Sequence, residues 1–399
     1  MKDLAGERIL CRDEAAVLKA LREARRQGAA IVPGGSEFPS PPEQGDASHA
    51  YLSLAPMDRV LSFDRTDLTI TVQPGMTLAA LNAALVGSGQ RSTLEAPDPE
   101  TWTVGGLVAG RAPSFSEGAH GPVKNHVLGL RCVDGAGRSL AFGGRVVKNV
   151  TGYDLVRLLS GSRGTLAVLT EVTLRLTPVP PATSTWVFQR PADEDPGPLV
   201  ARLRTLPYRM TRLVVVQGEA VGVEGRPTLI ALTLEGAPAT LADATRKLES
   251  LTPGGEPIED DAARELWQTL LAFSEEKARH LEAGGAVSVV LDLARRLRPR
   301  MVDRRGALVI DALGGKLHYT EAAEESDHDA WWAELKLGEY LNARGAWAAL
   351  PSDPLDAVHG PRRFGRPSPK ELELLLRIRR SFDPDGILSP GRTAWSPAS

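Results

Sequence analysis

The residues best suited to chemistry in this chain are mostly small. They are Gly34, Gly35 and Ser36, then Gly75, then Gly105 and Gly106, then Gly161, Gly164 and Thr165. Glycine lets a main chain approach a ligand closely because it carries no Cβ. Serine and threonine add hydroxyl donors. Four glycine-bearing segments, at residues 33–36, 74–75, 103–110 and 161–165, follow one another at the ends of strand-like runs. Such an order suits a dinucleotide, whose pyrophosphate needs several backbone N–H donors. Taken one by one, the same segments also read as ordinary turns. No Gly-x-Gly-x-x-Gly opens a helix after a strand, which argues against a Rossmann domain.

Groups able to move protons are sparser. The seven histidines, His49, His120, His126, His280, His318, His328 and His359, show no HxH or HxxxH spacing, so no metal site is expected. His318 follows a strand-like run and reads either as a base facing a ligand or as a satisfied strand-end histidine. His120 and His126 read as packing or ligand contacts. Tyr153-Asp154 reads as a turn after Gly152 that could also anchor a ligand. Six arginines fall within residues 295–305; they form a solvated basic face, attract a carboxylate substrate, or dock an acidic partner. The Arg362-Arg363-Phe364-Gly365-Arg366 segment leaves the same options open, so His318 and Arg366 are the two catalytic candidates.

These residues need a scaffold. Asp13 caps a helix with Val17, Leu18, Leu21 and Ala24 on one face, and Gly28 stops it. Strands are expected at residues 29–32, 68–72 and 168–176, with a hairpin at 130–142 and a Thr77-capped helix between them. Residues 102–110 show little helical periodicity. After Pro178-Val179-Pro180-Pro181 the texture changes. Strands are expected at 213–216, 229–234, 287–290 and 308–310, and helices at 241–251, 262–273 and 329–342, where Trp331 and Trp332 read as core or interface. An amphipathic helix at 369–382 precedes Asp383-Pro384-Asp385-Gly386. The fold class is therefore α+β, the second part carrying an antiparallel sheet.

Composition narrows the partners. A chain of 399 residues, 42% apolar, supports two domains. A net charge of −3 gives no general attraction to nucleic acid. Two cysteines, Cys11 and Cys132, cannot ligate an iron–sulfur cluster alone and do not suggest a disulfide-stapled fold. The charged N-terminus lacks a signal-peptide core, and no apolar run reaches the roughly 18 residues that span a bilayer. A cytoplasmic protein without a transmembrane segment is expected.

Residues 148–178, KNVTGYDLVRLLSGSRGTLAVLTEVTLRLTP, carry more than their glycines. The string resembles the end of the FAD-binding domain in vanillyl-alcohol-oxidase-type (PCMH-type) FAD-linked oxidoreductases. Its opening is similar to the FAD-binding subunit of bacterial glycolate oxidase. PGGS at 33–36 and TVGGLVAG at 103–110 resemble the family's two pyrophosphate loops, and HGPVKNHVLGL at 120–130 resembles its continuation. FDPDGILSPGR at 382–392 is similar to the C-terminal signature that returns to the flavin domain, with Ser389 where Asn is usual. The resemblance implies an FAD-binding domain over residues 1–180, an α+β cap or substrate domain over 181–368, and a returning segment over 369–399. It implies FAD contacts at Gly34, Gly35, Ser36, Gly105, Gly106, Gly121, Lys124, Asn125, Gly164, Thr165 and Val168. FAD would be held non-covalently, since no His or Cys stands at the attachment positions.

The implied activity is oxidation of a small 2-hydroxy acid within a glycolate oxidase or dehydrogenase complex. Its partners would be a homologous flavoprotein subunit and an iron–sulfur subunit, with membrane association only through partners. The His-x-Gly-Asp-Gly-Asn-x-His metal motif of catalytic relatives is missing. That leaves open a mainly structural partner whose FAD is not the site of oxidation, and also a stand-alone D-2-hydroxy acid dehydrogenase.

Overall fold

A computed structural model describes residues 4, 6–35, 49–110, 114–144, 154–218, 227–252, 254–273, 279–303, 306–321, 337, 340–341, 343–349 and 369–390. The chain forms two compact units. The first comprises Met1–Pro113, Gly121–Val179 and Pro367–Ser399; the second comprises Ser114–His120 and Pro180–Arg366.

The first unit opens with β1 (Arg8–Leu10), α1 (Glu14–Gln27), β2 (Ala30–Gly34) and β3 (His49–Ser53). The strands form a parallel sheet in the order β1-β3-β2. Asp13 caps α1 by accepting the Ala16 N–H at 2.8 Å, and Gly28 ends it in the left-handed conformation at φ 66°. Val17, Ala20, Leu21 and Ala24 are buried and share one core with Ile31, Ala50 and Leu52.

Next come β4 (Val60–Asp64), β5 (Thr69–Val72), α2 (Leu78–Leu85), β6 (Gln90–Arg91) and α3 (Val104–Ala109). The chain passes through α4 (Glu117–His120), part of the second unit, and returns for β7 (Val127–Asp134), β8 (Ser139–Gly143), α5 (Leu155–Leu159), β9 (Ala167–Arg175) and β10 (Thr177–Pro178). An antiparallel sheet runs β4-β5-β9-β7-β8, and β6 pairs with β10. Ile70, Val72, Leu81, Leu107, Cys132, Val172 and Leu174 fill its core.

The second unit continues with β11 (Ala182–Arg190), α6 (Gly197–Arg204), β12 (Met210–Gly218), β13 (Thr228–Gly236), α7 (Pro238–Leu251), β14 (Gly255–Ile258) and α8 (Asp260–Ala272). It closes with β15 (Arg279–Gly284), α9 (Val287–Asp303), β16 (Ala307–Asp311), β17 (Lys316–Glu321) and β18 (Trp347–Ala349). The eight strands form an antiparallel sheet in the order β14-β11-β13-β12-β16-β17-β15-β18. Strand alternation gives it two faces. One face sends Trp186, Leu213, Val215, Ile230, Leu308, Leu317 and Tyr319 against α6, α7 and α9. The other sends Val214, Val216, Ala231 and Val309 against Trp267 and Leu270 of α8 and against Phe115.

The chain then returns to the first unit through α10 (Pro369–Phe382). Ile31 donates its N–H to Ile387 at 2.7 Å, and Ser389 donates to Ile31 at 2.8 Å. Asp383, 2% exposed, accepts the backbone N–H groups of Ile387 and Leu388. Arg25 pairs with Asp385 at 2.6 Å, and Arg138 donates to the Ser381 carbonyl at 2.7 Å.

Two sequence expectations are corrected. Residues 287–290 are the first turn of α9, not a strand. Their β-branched run misleads, while Val290, Leu293, Ala294 and Leu297 bury at helical spacing. Residues 102–110 contain α3, whose Val104, Gly105, Leu107 and Val108 are all buried, so no amphipathic period marks it. The expected helix at 329–342 and its two tryptophans lie mostly outside the described residues.

Candidate cofactor site and a buried histidine pair

The four glycine segments converge in the first unit. β2 ends at Gly34, which is in register with Ser53 of β3. A Cβ on Gly35 would strike the Thr103 side chain, so residues 33–35 abut the start of α3. Thr103 caps α3 by accepting the Gly106 N–H at 3.2 Å. Gly105 donates to the Pro74 carbonyl at 2.8 Å, and its added Cβ would lie 2.6 Å from Pro74 Cβ. Gly161 donates to Val108 at 2.9 Å and Arg163 to Ala109 at 2.6 Å, which ties the fourth segment to the end of α3. Gly164, at φ 72°, would place a Cβ 2.7 Å from Pro33 Cγ.

The remaining expected contacts differ in what they can offer. Gly121, at φ 83°, sits on the turn before β7, where Lys124 and Asn125 are exposed. His126 is 3% exposed and bonds Thr93 at 3.2 Å and the Gly121 carbonyl at 3.1 Å, so it holds that turn. Thr165 is buried, and its hydroxyl donates to the Ser162 carbonyl at 2.6 Å, closing the loop. Val168 is 1% exposed and packs in the core with Ile31 and Val133, so the side chain is a wall rather than an open contact. Asp154 caps α5 through the Arg157 N–H at 3.1 Å. Ser36, Tyr153 and Arg366 lie outside the described residues.

Sequence reasoning missed one residue here. Ser53 is fully buried beside Gly34, and among the described residues its hydroxyl has no hydrogen-bond partner. Ser389 is also fully buried, with a hydroxyl equally without a partner, and its φ is 41°. Its Oγ lies 3.3 Å from where a Gly164 Cβ would stand. A buried hydroxyl without a partner is unfavourable. Two of them flanking a cradle of glycines fit a ligand rich in acceptor oxygens, as a pyrophosphate is. The only prior signal for Ser53 was its small polar character at the end of an apolar strand. Burial raises the thiol of Cys11 to about 11 and that of Cys132 to about 12, so both stay protonated.

In the second unit, His318 lies on β17 and is 6% exposed. His280 of β15 is 3% exposed; its Nε2 is 3.2 Å from His318 Nδ1, and the rings stack at 5.4 Å. Burial, then the neighbouring His318, lowers the pKa of His280 to about 3, against the pull of Glu282. Phe115 meets His318 edge-on at 6.3 Å and Trp267 at 6.5 Å. Lys316 pairs with Glu117. Among the described residues no group of three His, Cys, Asp or Glu side chains could hold a metal ion.

Three of the six arginines of the basic stretch are engaged within their own unit, and Arg304 and Arg305 lie outside the described residues. Arg295 pairs with Asp195 at 2.9 Å, and Arg296 lies 4.2 Å over the Tyr340 ring. Arg300 forms two bonds to the buried Glu321, at 2.8 and 3.0 Å, and Tyr319 donates to the same carboxylate at 2.7 Å. An arginine forked onto a buried carboxylate holds a fold together. It does not serve as a loose docking charge.

Comparison with known proteins agrees with this geometry. A family described as an FAD binding domain matches residues 8–143. Glycolate oxidase subunit GlcE of Escherichia coli (strain K12) is 29% identical over 84% of each chain. D-2-hydroxyglutarate dehydrogenase of Xanthomonas citri pv. viticola is 26% identical over 94% of this chain and 86% of its own. The solved structure of an alkyldihydroxyacetonephosphate synthase superposes with a TM-score of 0.68 at 14% identity, covering 96% of this chain and 75% of that one, which bears on the fold alone.

Proposed function

We propose that this chain, whose residues 8–143 match an FAD binding domain family and which is similar to glycolate oxidase subunit GlcE, is a PCMH-type FAD-linked oxidoreductase and the FAD-binding subunit of a complex that oxidises a small 2-hydroxy acid such as glycolate. The observation that carries the reading is the meeting of four glycine segments with the unpartnered hydroxyls of Ser53 and Ser389. Bound FAD supplies a two-electron acceptor. The chain supplies the grip. Gly34, Gly35, Gly105, Gly106 and Gly164 bring main chain to the pyrophosphate, and Ser36, Ser53 and Ser389 donate hydroxyls. Thr165 and Val168 shape the wall, and Gly121, Lys124 and Asn125 reach the cofactor from the turn before β7. No cysteine or histidine is assigned to covalent attachment, so FAD is held by these contacts.

Residues 1–180 with 369–399 form the cofactor domain in this reading, and 181–368 the substrate domain. Its partners are an iron–sulfur subunit and a homologous flavoprotein, because two cysteines cannot carry electrons onward through a cluster. Among the described residues no helix is long and apolar enough to cross a membrane. A cytoplasmic location, with membrane contact only through partners, accords with that. A second reading, a stand-alone D-2-hydroxy acid dehydrogenase, draws on the coverage shared with the D-2-hydroxyglutarate dehydrogenase. Reconstitution with FAD, followed by glycolate or D-lactate with and without the co-purified partners, tests both. Flavin bands that bleach only in the complex support the subunit reading; bleaching in the isolated chain favours the second. A chain that never binds flavin overturns both.

A further inference from the structure

We infer that Asp383 is a positioning residue for the cofactor: its carboxylate shapes the turn over residues 384–388 so that Ser389 presents its hydroxyl to FAD. Asp383 acts through Ser389 and not by contact with the ligand. This rests on the proposed binding of FAD in the first unit.

Three observations carry it. Asp383 is 2% exposed, and both of its oxygens serve one short turn. Oδ1 accepts the Ile387 N–H at 3.1 Å and Oδ2 accepts the Leu388 N–H at 2.9 Å. A carboxylate this deep is unfavourable unless it is bonded. Burial raises its pKa, against the pull of those two N–H groups and of Arg379 at 3.8 Å.

The same turn is also gripped from its other side. Ile31 of β2 donates its N–H to Ile387, and Ser389 donates back to Ile31. Asp383 and the strand that ends at Gly34 therefore hold residues 387–389 between them.

Ser389 itself is held in an unfavourable state. Its φ of 41° lies in the left-handed region, which serine adopts only where its surroundings impose it. It is fully buried, and among the described residues its hydroxyl has no hydrogen-bond partner. Its Oγ lies 3.3 Å from where a Gly164 Cβ would stand, so it points at the fourth glycine segment. An acceptor oxygen of FAD satisfies that hydroxyl. Without the Asp383 bonds the turn relaxes, Ser389 returns to negative φ, and Oγ swings away from Gly164. By reciprocity, FAD held by Ser389 steadies the turn that Asp383 shapes.

FAD titration of the full chain as wild type, Ser389→Ala, Asp383→Asn and the double variant forms a closed cycle. Asparagine keeps the shape and one acceptor oxygen, but its amide group cannot accept the second N–H. Each single variant should weaken FAD binding about tenfold, and the double variant also about tenfold, because Ser389 is already misplaced. A double variant weakened about a hundredfold overturns the proposal, and so does a Ser389→Ala chain that binds FAD as tightly as wild type. A merely structural Asp383 would lower the melting temperature and leave Ser389→Ala its full effect. If Asp383→Asn does not fold, amide hydrogen exchange in the wild type decides. FAD should slow exchange at Ile387 and Leu388, and Ser389→Ala should abolish that slowing; equal rates with and without FAD overturn the proposal. Glycolate added to the same samples reports separately: FAD that binds tightly and is never bleached, with or without partners, fails the oxidation reading and leaves the cycle standing.

Discussion

Ser53 separates binding from folding more cleanly than any glycine in the cradle. Its hydroxyl is buried without a partner, so Ser53→Ala should leave the melting temperature of the cofactor-free protein unchanged or slightly higher. FAD affinity should fall about tenfold, the loss of one hydrogen bond of ~1.4 kcal/mol, read by fluorescence titration. Gly105 and Gly106 divide in the same way. A Cβ on Gly106 would meet only the Thr103 hydroxyl at 3.2 Å, whereas one on Gly105 would press into Pro74. Gly106→Ala should therefore fold and bind FAD poorly. Gly105→Ala should lose roughly 1–3 kcal/mol of stability from overpacking, seen in chemical denaturation. His280 adds a pH dependence. Its pKa is about 3 in the folded chain against an ordinary 6.5, so the unfolded chain takes up its proton first as pH falls. This contribution to stability is complete above pH 6.5 and is lost toward pH 3, with a slope approaching ~1.4 kcal/mol per pH unit. His280→Gln should flatten that slope in melts between pH 7.5 and 4.5. The glycines were legible in the sequence because their type announces close approach. Ser53 and the histidine pairing were not, because they depend on which residues lie across a strand register.

At the level of elements, helix caps and charged helix faces behave differently from what composition suggests. Thr103 closes the first turn of α3 and lies against Gly35, so Thr103→Ala should cost about 1 kcal/mol and loosen FAD together. The arginines of α9 yield the sharper contrast. Read as a docking face, Arg300→Glu should weaken only a complex. With Arg300 forked onto buried Glu321, the substitution should instead lower the stability of the isolated chain by ~3 kcal/mol or more, measured by denaturant unfolding. The helices α1 and α10 were legible because each buries one stripe and exposes the other. α3 was hidden because nearly all of it is buried. β15 and β17 were hidden because His280, Glu282 and His318 put polar side chains on a buried face, which erases the alternation a strand normally shows.

Across the whole molecule, the first unit is made from three separate stretches of chain, and the second borrows Ser114–His120 from between two of them. The excursion of residues 114–120 was not visible in the sequence, since seven residues carry no period of their own. The bridge from Ile31 to Leu388 joins residues 357 positions apart (388 − 31), and Ser389 belongs to the same segment. During synthesis at roughly 5–20 residues per second, β2 would wait tens of seconds for that neighbour. The early chain would meanwhile expose the apolar strands that α10 and its tail later help to enclose, and closing so long a loop is slow. Such a protein should depend on chaperones while it is being made. A ribosome-stalled chain ending at residue 368 should be cut readily within β2 and β3, at residues 30–34 and 49–53, by added protease, while in the finished chain these two strands resist.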